Sequence, residues 1–375
     1  MHLLAARPGE VVDGSQAVDL GQSPADIVVL SAADTELAGL SAAHARLGAG
    51  APTLRLASPL SLAHNLSVDT YVDDVIAHAR LVVLRLLGGT GYWPYGVERI
   101  VETCRARDIK LAVLPGDDQP DAELIGLSLL PGDACHRLWQ YCVHGGPDNA
   151  GNFLAYAASL IGRPAPWQEP RPMLRAGLYW PGLADPDLEA LRAAWPDDAP
   201  VAALVFYRAL IQGENLDVVD ALIDALGEAG MAALPLYTTS LRDAVAGEIV
   251  GGFIEAARPA VILNTTGFAV SSPGRQRRGT PFDAADCPVL QVVFAGGTEE
   301  AWASGANGLS ARDIAMNVAL PEVDGRILAR AVSFKAEARY DPATEAPVVK
   351  YQPVPDRIDF TVALARNWAR LARTP

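Results

Sequence analysis

Short, unbroken apolar runs alternate with stretches of helical periodicity along almost the whole chain, and this alternation limits the fold more than any other feature. In the first half, strands are expected at 26–30, 53–57, 81–86 and 109–114. Helical patterns lie between them at 36–47, 70–79 and 95–107, and 150–160 reads as a closing helix. A strand with no polar face must be covered on both sides, and helical connections of this length return the chain to make a parallel sheet.

Residues 162–174 hold four prolines and no apolar period. Proline removes backbone donors and stiffens the chain, so this segment reads as a linker. Beyond it a second set of strands is expected at 176–180, 202–207, 232–236, 260–264 and 289–294. A helix is expected at 216–229, with Gly230 ending it, and another from Ser240 to about residue 257. Residues 271–285 are polar, basic and turn-rich and are expected to form a mobile loop. The tail reads as strands at 325–334 and 348–353 and a helix at 360–371. The predicted fold is α/β: two doubly wound, mostly parallel-sheet domains, flavodoxin-like or periplasmic-binding-like, over residues 1–165 and 175–375.

Composition closes several routes. The chain has 375 residues, 50% of them hydrophobic and 20% charged, which is enough for real cores. Its formal charge of −14 argues against a broad nucleic-acid or anionic-membrane surface. The only lysines are Lys110, Lys335 and Lys350, and none follows a glycine, so there is no P-loop for a nucleotide. No GxSxG occurs and all six histidines precede residue 145, which leaves no Ser/His/Asp arrangement. Four irregularly spaced cysteines do not make a disulfide scaffold. The opening apolar run is too short for a secretory leader, and no run reaches the roughly 18 apolar residues of a membrane span. A cytoplasmic protein is expected.

Five segments carry side chains suited to chemistry. Gly88, Gly89 and Gly91 follow a buried strand, as in a loop that lets a ligand approach backbone, although Pro94 stands where a dinucleotide fingerprint needs glycine. An ordinary turn is the plainer reading; Tyr92, Trp93 and Tyr95 would otherwise offer a stacking surface. Cys135, His136, Cys142 and His144 are soft ligands, but the cysteine spacing is wide for zinc and core filling is favoured. Arg208 at the end of a strand suits a ligand carboxylate, with Tyr207 beside it and Asn215 at the following helix start; equally, it is a surface arginine next to a cap. Asn264 and Thr265, with Thr266 and Gly267, suit the lining of a crevice or a plain turn. Glu322 and Asp324 would share one side of an extended chain, where paired carboxylates take protons or hold a cation; a turn reads as well. The ligating set for a metal is left open.

The runs LRLLGGTGYWPYG, LPGDDQPDAEL, LWQYCVHGGPDN, FYRALIQGENLDVVDALIDAL, ILNTTGFAV, GLSARDIAMNVALPEVDGRI and AVSFKAE together resemble the large-subunit family of aerobic cobaltochelatase and magnesium chelatase H. They stand in the family's order and span nearly all of the chain. The resemblance implies a role in cobalamin synthesis: insertion of cobalt(II) into hydrogenobyrinic acid a,c-diamide, with ATP bound together with magnesium and hydrolysed on two smaller ATPase-type subunits rather than here. Charge and the lack of a long apolar run point to no nucleic-acid or membrane partner. Glu322 and Asp324 are then expected to assist with protons or metal. Arg208, Tyr207, Asn215, Tyr92, Trp93, Asn264 and Thr265 would face the macrocycle. Family members are far longer and carry an HGxxEWLPGK-type stretch associated with the active centre; here His144-Gly145 is followed by GPDN. The chain is therefore expected to correspond to an N-terminal portion that does not chelate alone. Its alternatives are a docking or lid module for the ATPase subunits and a magnesium chelatase H-type part.

Overall fold

The computed structural model describes residues 4–5, 16–163, 165–306 and 308–372. Two compact units result: one formed by residues up to 173 with 212–214 and 337–350, the other by 174–211, 215–336 and the C-terminal remainder from 351.

In the first unit, β1 (Leu4–Ala5) pairs in parallel with β2 (Val18–Asp19). The main sheet consists of β3 (Ile27–Ser31), β4 (Leu54–Ala57), β5 (Leu81–Leu86) and β6 (Lys110–Pro115) in the order β4-β3-β5-β6, every pair parallel. Side chains alternate across a strand, so Ile27 and Val29 enter one core while Val28 and Leu30 enter the other. Helices Asp34–Leu47, Gly132–His144 and Pro147–Leu160 supply the first core; Asn65–Asp74 and Pro94–Ala106 supply the second. The helix expected at 70–79 is displaced: it starts at Asn65 under a His64 side-chain cap, and 76–78 form a separate turn.

Two later segments complete this unit. The Gln212 amide donates to the carbonyls of Val143 and His144, and a Cβ on Gly213 would meet the Thr35 carbonyl at 2.5 Å. Arg55, buried, pairs with Glu345 at 2.7 Å, and the Ser41 hydroxyl donates to Asp341 at 2.6 Å.

The second unit is built on a seven-stranded sheet of β7 (Ala176–Leu178), β8 (Val201–Tyr207), β9 (Ala232–Thr238), β10 (Val261–Asn264), β11 (Val289–Ala295), β12 (Ile327–Asp341) and β13 (Ala346–Pro353), of which residues 337–341 and 346–350 belong to the first unit. Its order is β13-β12-β11-β10-β8-β9-β7. The run from β9 through β8, β10 and β11 to β12 is parallel, and β7 closes one edge antiparallel. Alternation again feeds two cores, with Leu204 and Phe206 in one and Ala203 and Val205 in the other. Helix Asp217–Glu228 presents Val218, Val219, Leu222, Ile223 and Leu226 to its core, and Gly230 follows at φ +73°, the left-handed geometry that ends helices. The next helix is Ala244–Ala257, capped by Asp243 accepting from the Ala246 N–H rather than starting at Ser240. The final helix, Pro355–Ala372, begins at a proline, which lacks only an N–H that a first turn leaves unpaired.

Trp93 illustrates how tightly the first unit is assembled. Its ring is buried, Nε1 donates to the Leu62 carbonyl at 3.1 Å, and the ring lies where a Cβ on Gly96 would stand, 2.2 Å away. Gly96→Ala should gain about 1 kcal/mol of helix propensity but incur an overpacking cost of roughly 1–3 kcal/mol. Because the Trp93 hydrogen bond resists displacement, a net loss of about 1–2 kcal/mol is expected in urea denaturation with an unchanged m value.

Candidate functional site in the second unit

Ligands of parallel α/β sheets bind beyond the carboxyl ends of the strands. In the second unit that edge carries a cleft of about 240 Å³, lined by Tyr207 at the end of β8, Ser240, Leu241 and Arg242 after β9, residues 267–270 after β10, and Arg326 just before β12.

The floor is a buried polar network. The Asn264 side chain donates to the Thr266 carbonyl and to Gln291 Oε1, each at 2.9 Å, and accepts from the Thr266 hydroxyl at 2.9 Å. Thr265 donates through both its N–H and its hydroxyl to the Val205 carbonyl. Asn264 and Thr265 were expected to line a crevice; instead their polar atoms are turned inward and hold the loop above them.

That loop approaches a five-residue π-helical turn, Ala315–Ala319. The Phe268 N–H donates to the Met316 carbonyl at 2.7 Å, and a Cβ on Gly267 would stand 2.9 Å from Asn317 Oδ1. Phe268 takes φ +63°, a strained conformation for a bulky residue, and the residue is 40% exposed. π-turns and strained residues tend to gather at functional sites.

Arg326 forms the charged wall. Its side chain is 2% exposed and pairs with Asp324 at 3.0 Å, while Nη1 reaches the Thr266 carbonyl and Gln291 Oε1 at 3.3 and 3.4 Å. Its Nε has no hydrogen-bond partner among the described residues. Burial lowers the affinity of this guanidinium for its proton, and the Asp324 charge offsets only part of that. Burial likewise pushes the Tyr207 hydroxyl up against the opposing pull of Arg326 and Arg242; that hydroxyl donates to the Gly267 carbonyl. Arg242 donates through Nε to the Ala269 carbonyl and lies 5.9 Å from the Phe268 ring centre.

The residues singled out in the sequence separate. Tyr207 lines the cleft, whereas Arg208 does not; Arg208 Nη1 bonds the Leu174 carbonyl. Asn215 is buried and accepts from the Tyr351 N–H at 3.1 Å. Glu322 and Asp324 do not share an extended face: Glu322 ends a short helix and is exposed, while Asp324 is buried in the turn after it. Asp324 accepts from the Val270 and Ser271 N–H groups at 2.7 and 3.0 Å. Burial alone would raise its carboxyl, but these amides together with Arg326 outweigh that and hold it below the usual range. The 271–285 loop is fastened by the same carboxylate and by Arg277, which holds the Asp283 carboxyl down to about 2.

In the first unit Tyr92 is exposed, whereas Trp93 is core and unavailable for stacking. Gly91 and Pro94 border an open groove of about 730 Å³. Cys135 is fully buried and burial pushes the Cys142 thiol well up; no cluster of three or more metal-type ligands occurs among the described residues. Arg242 and Arg326 were not singled out from sequence. Arg242 sits two residues after Ser240, inside a segment read only as a helix start, and Arg326 follows the Glu322/Asp324 pair that drew attention instead.

Residues 139–375 match the family described as CobN/Magnesium Chelatase. The chain belongs to that family. It is 47% identical over 384 residues to the aerobic cobaltochelatase subunit CobN of Sinorhizobium sp, covering all of this chain and 30% of that protein. With the aerobic cobaltochelatase subunit CobN of Pseudomonas aeruginosa it shares 42% identity over 376 residues, again across the whole chain and 30% of the relative. The chloroplastic magnesium-chelatase subunit ChlH of Oryza sativa subsp. japonica is 28% identical over 302 residues, 70% of this chain and 19% of that one. Among solved structures, the catalytic subunit of cobaltochelatase from Mycobacterium tuberculosis superimposes with a TM-score of 0.65 and 27% identity, covering 93% of this chain and 27% of that chain. The chain thus spans about a third of the length of the curated cobaltochelatase relatives it matches.

Removing Asp324 leaves Arg326 buried without its counter-ion, a change that typically costs about 3–5 kcal/mol. Asp324→Asn is expected to lose stability of that order in urea denaturation, and exposed Glu322→Gln to change it by less than about 0.5 kcal/mol. Because the Asp324 carboxyl is depressed in the folded state, its contribution is complete above the unfolded value near pH 4 and disappears as pH falls through the folded one. The wild-type and D324N stability curves should converge only in that acid range.

Proposed function

We propose that this chain is the N-terminal part of the large, macrocycle- and metal-binding subunit of an ATP-dependent aerobic cobaltochelatase. The reaction is insertion of cobalt(II) into hydrogenobyrinic acid a,c-diamide in the cytoplasm, during cobalamin synthesis. The observation that carries this reading is the 47% identity with the Sinorhizobium aerobic cobaltochelatase subunit, sustained over the entire chain. The lower identity to magnesium-chelatase subunits, 28% over 70% of the chain, favours the cobalt branch of the family.

Metal insertion requires a divalent ion to lose water, two pyrrole protons to leave, and a rigid carboxylate-bearing ring to be held still. The cleft residues suit the last of these tasks. Guanidinium groups take carboxylates with directional, charge-assisted hydrogen bonds. Asp324 is committed to Arg326 and two backbone amides, so it is not a base for the pyrrole protons in this reading. Cobalt handling and the proton acceptors are assigned to the remainder of the large subunit, and ATP hydrolysis to two smaller ATPase-type subunits. The missing Gly-Lys-Ser/Thr signature agrees with that division of labour.

The test is a titration of the chain with hydrogenobyrinic acid a,c-diamide, without metal or ATP, followed by macrocycle absorbance and tryptophan fluorescence. Saturable binding in the micromolar range is expected, with no cobalt insertion by this chain alone when cobalt(II) and ATP are added. Absence of binding would overturn the macrocycle-binding role and favour a module that docks the ATPase subunits.

A further inference from the structure

Arg326 combines two properties that seldom coexist in a purely structural arginine. It is almost entirely removed from solvent, yet it forms a wall of an open cleft and keeps Nε without an acceptor. A buried donor left unmade is unfavourable, and in native structures it usually has a missing partner. The other groups at the cleft narrow what that partner is. Arg242 adds a second guanidinium, and both guanidinium charges act on the Tyr207 hydroxyl between the strand ends. The acidic groups nearby are already engaged: Asp324 with Arg326 and two amides, Asp283 with Arg277, and Asp243 with Arg175 and a helix cap. The rest of the lining is Ser240, Gly267 and an apolar wall of Leu241, Phe268, Ala269 and Val270.

We propose that this cleft is a carboxylate-binding subsite, in which Arg326 and Arg242 take the carboxylate and the apolar wall takes the aliphatic arm that carries it. Its size sets the scale of the ligand. A pocket enclosing a whole drug-sized molecule measures roughly 300–1,000 Å³, whereas this one has about 240 Å³. It admits one side arm and not a macrocycle. A planar guanidinium matches a carboxylate in bidentate fashion. Where the arm belongs to the corrin substrate, the subsite deepens the function proposed above and rests on it; the chemistry of the cleft does not.

The test uses three small probes on the same chain: butyrate, butyramide and inorganic phosphate. Titrations are followed by calorimetry and by the arginine Nε–H resonances of nitrogen-15-labelled protein. Butyrate is expected to saturate and to shift one buried Nε–H signal, with butyramide at least about tenfold weaker. Arg242→Ala, a substitution at an exposed position, should weaken butyrate about tenfold, equivalent to about 1.4 kcal/mol. Arg326→Lys should abolish the shifted signal; where that variant does not fold, the wild-type resonance and R242A decide the matter. Equal binding of acid and amide, tighter saturation by phosphate, or an unaltered R242A affinity would each overturn the carboxylate assignment.

Titration of the macrocycle separates the two readings. Butyrate behaving as expected without any macrocycle binding keeps the subsite and removes the chelatase substrate. Macrocycle binding that R242A leaves unchanged, with no butyrate binding, does the reverse.

Discussion

One backbone carbonyl carries an unusual share of the second unit. Thr266 O accepts hydrogen bonds from the Asn264 amide, the Gln291 amide and the Arg326 guanidinium. Asn264 and Gln291 lie on adjacent parallel strands, and Arg326 enters just ahead of a third. Three elements distant in sequence are therefore fixed to one point of a buried loop. In a low-dielectric interior such bonds are strong, and the loss of any member leaves an unmet polar group. The strained Phe268 and the close pass of Gly267 over the π-turn persist because the chain on their N-terminal side cannot relax away from this anchor.

The network also decides which charges are available. Asp324 neutralises Arg326 and simultaneously ties down the start of the 271–285 loop, so one carboxylate serves both as counter-ion and as clasp. Asp324 takes only the Nη2 end of Arg326, and Arg326 lines the cleft together with Arg242. A chain with net charge −14 thus presents a locally cationic pocket. Overall charge excludes broad anionic surfaces, but it says little about a site built from two arginines.

Much of the architecture could be read in advance because it depends on local pattern. Continuous apolar strands require cover on both faces, and the structure has both sheets sandwiched between two cores, with alternate residues feeding each. The family was legible in motifs such as NTTGFAV and ARDIAMNVALPEVDGRI, and the match over 139–375 bears it out. Individual side chains were less legible. Trp93 stands beside exposed Tyr92 in the sequence, yet the neighbouring Gly96 opens a slot into which its ring folds. Ser240 and Asp243 both suit a helix cap, and the choice of Asp243 follows from the Ala246 N–H that it meets.

Glu322 and Asp324 mark the limit most clearly. Two residues apart, they share a side only in an extended chain; a short helix followed by a turn sends one to solvent and the other into the core. The sequence by itself determined the α/β class, the strand and helix order, the family, and the absence of a P-loop, because these rest on periodicity, residue type and motif. Only the tertiary structure decided that residues 337–350 complete the first unit, that Asn264 and Thr265 face inward, and that Arg242 and Arg326 meet at one cleft. Those outcomes depend on strand order and on hydrogen bonds between residues far apart in the chain, which no local pattern encodes.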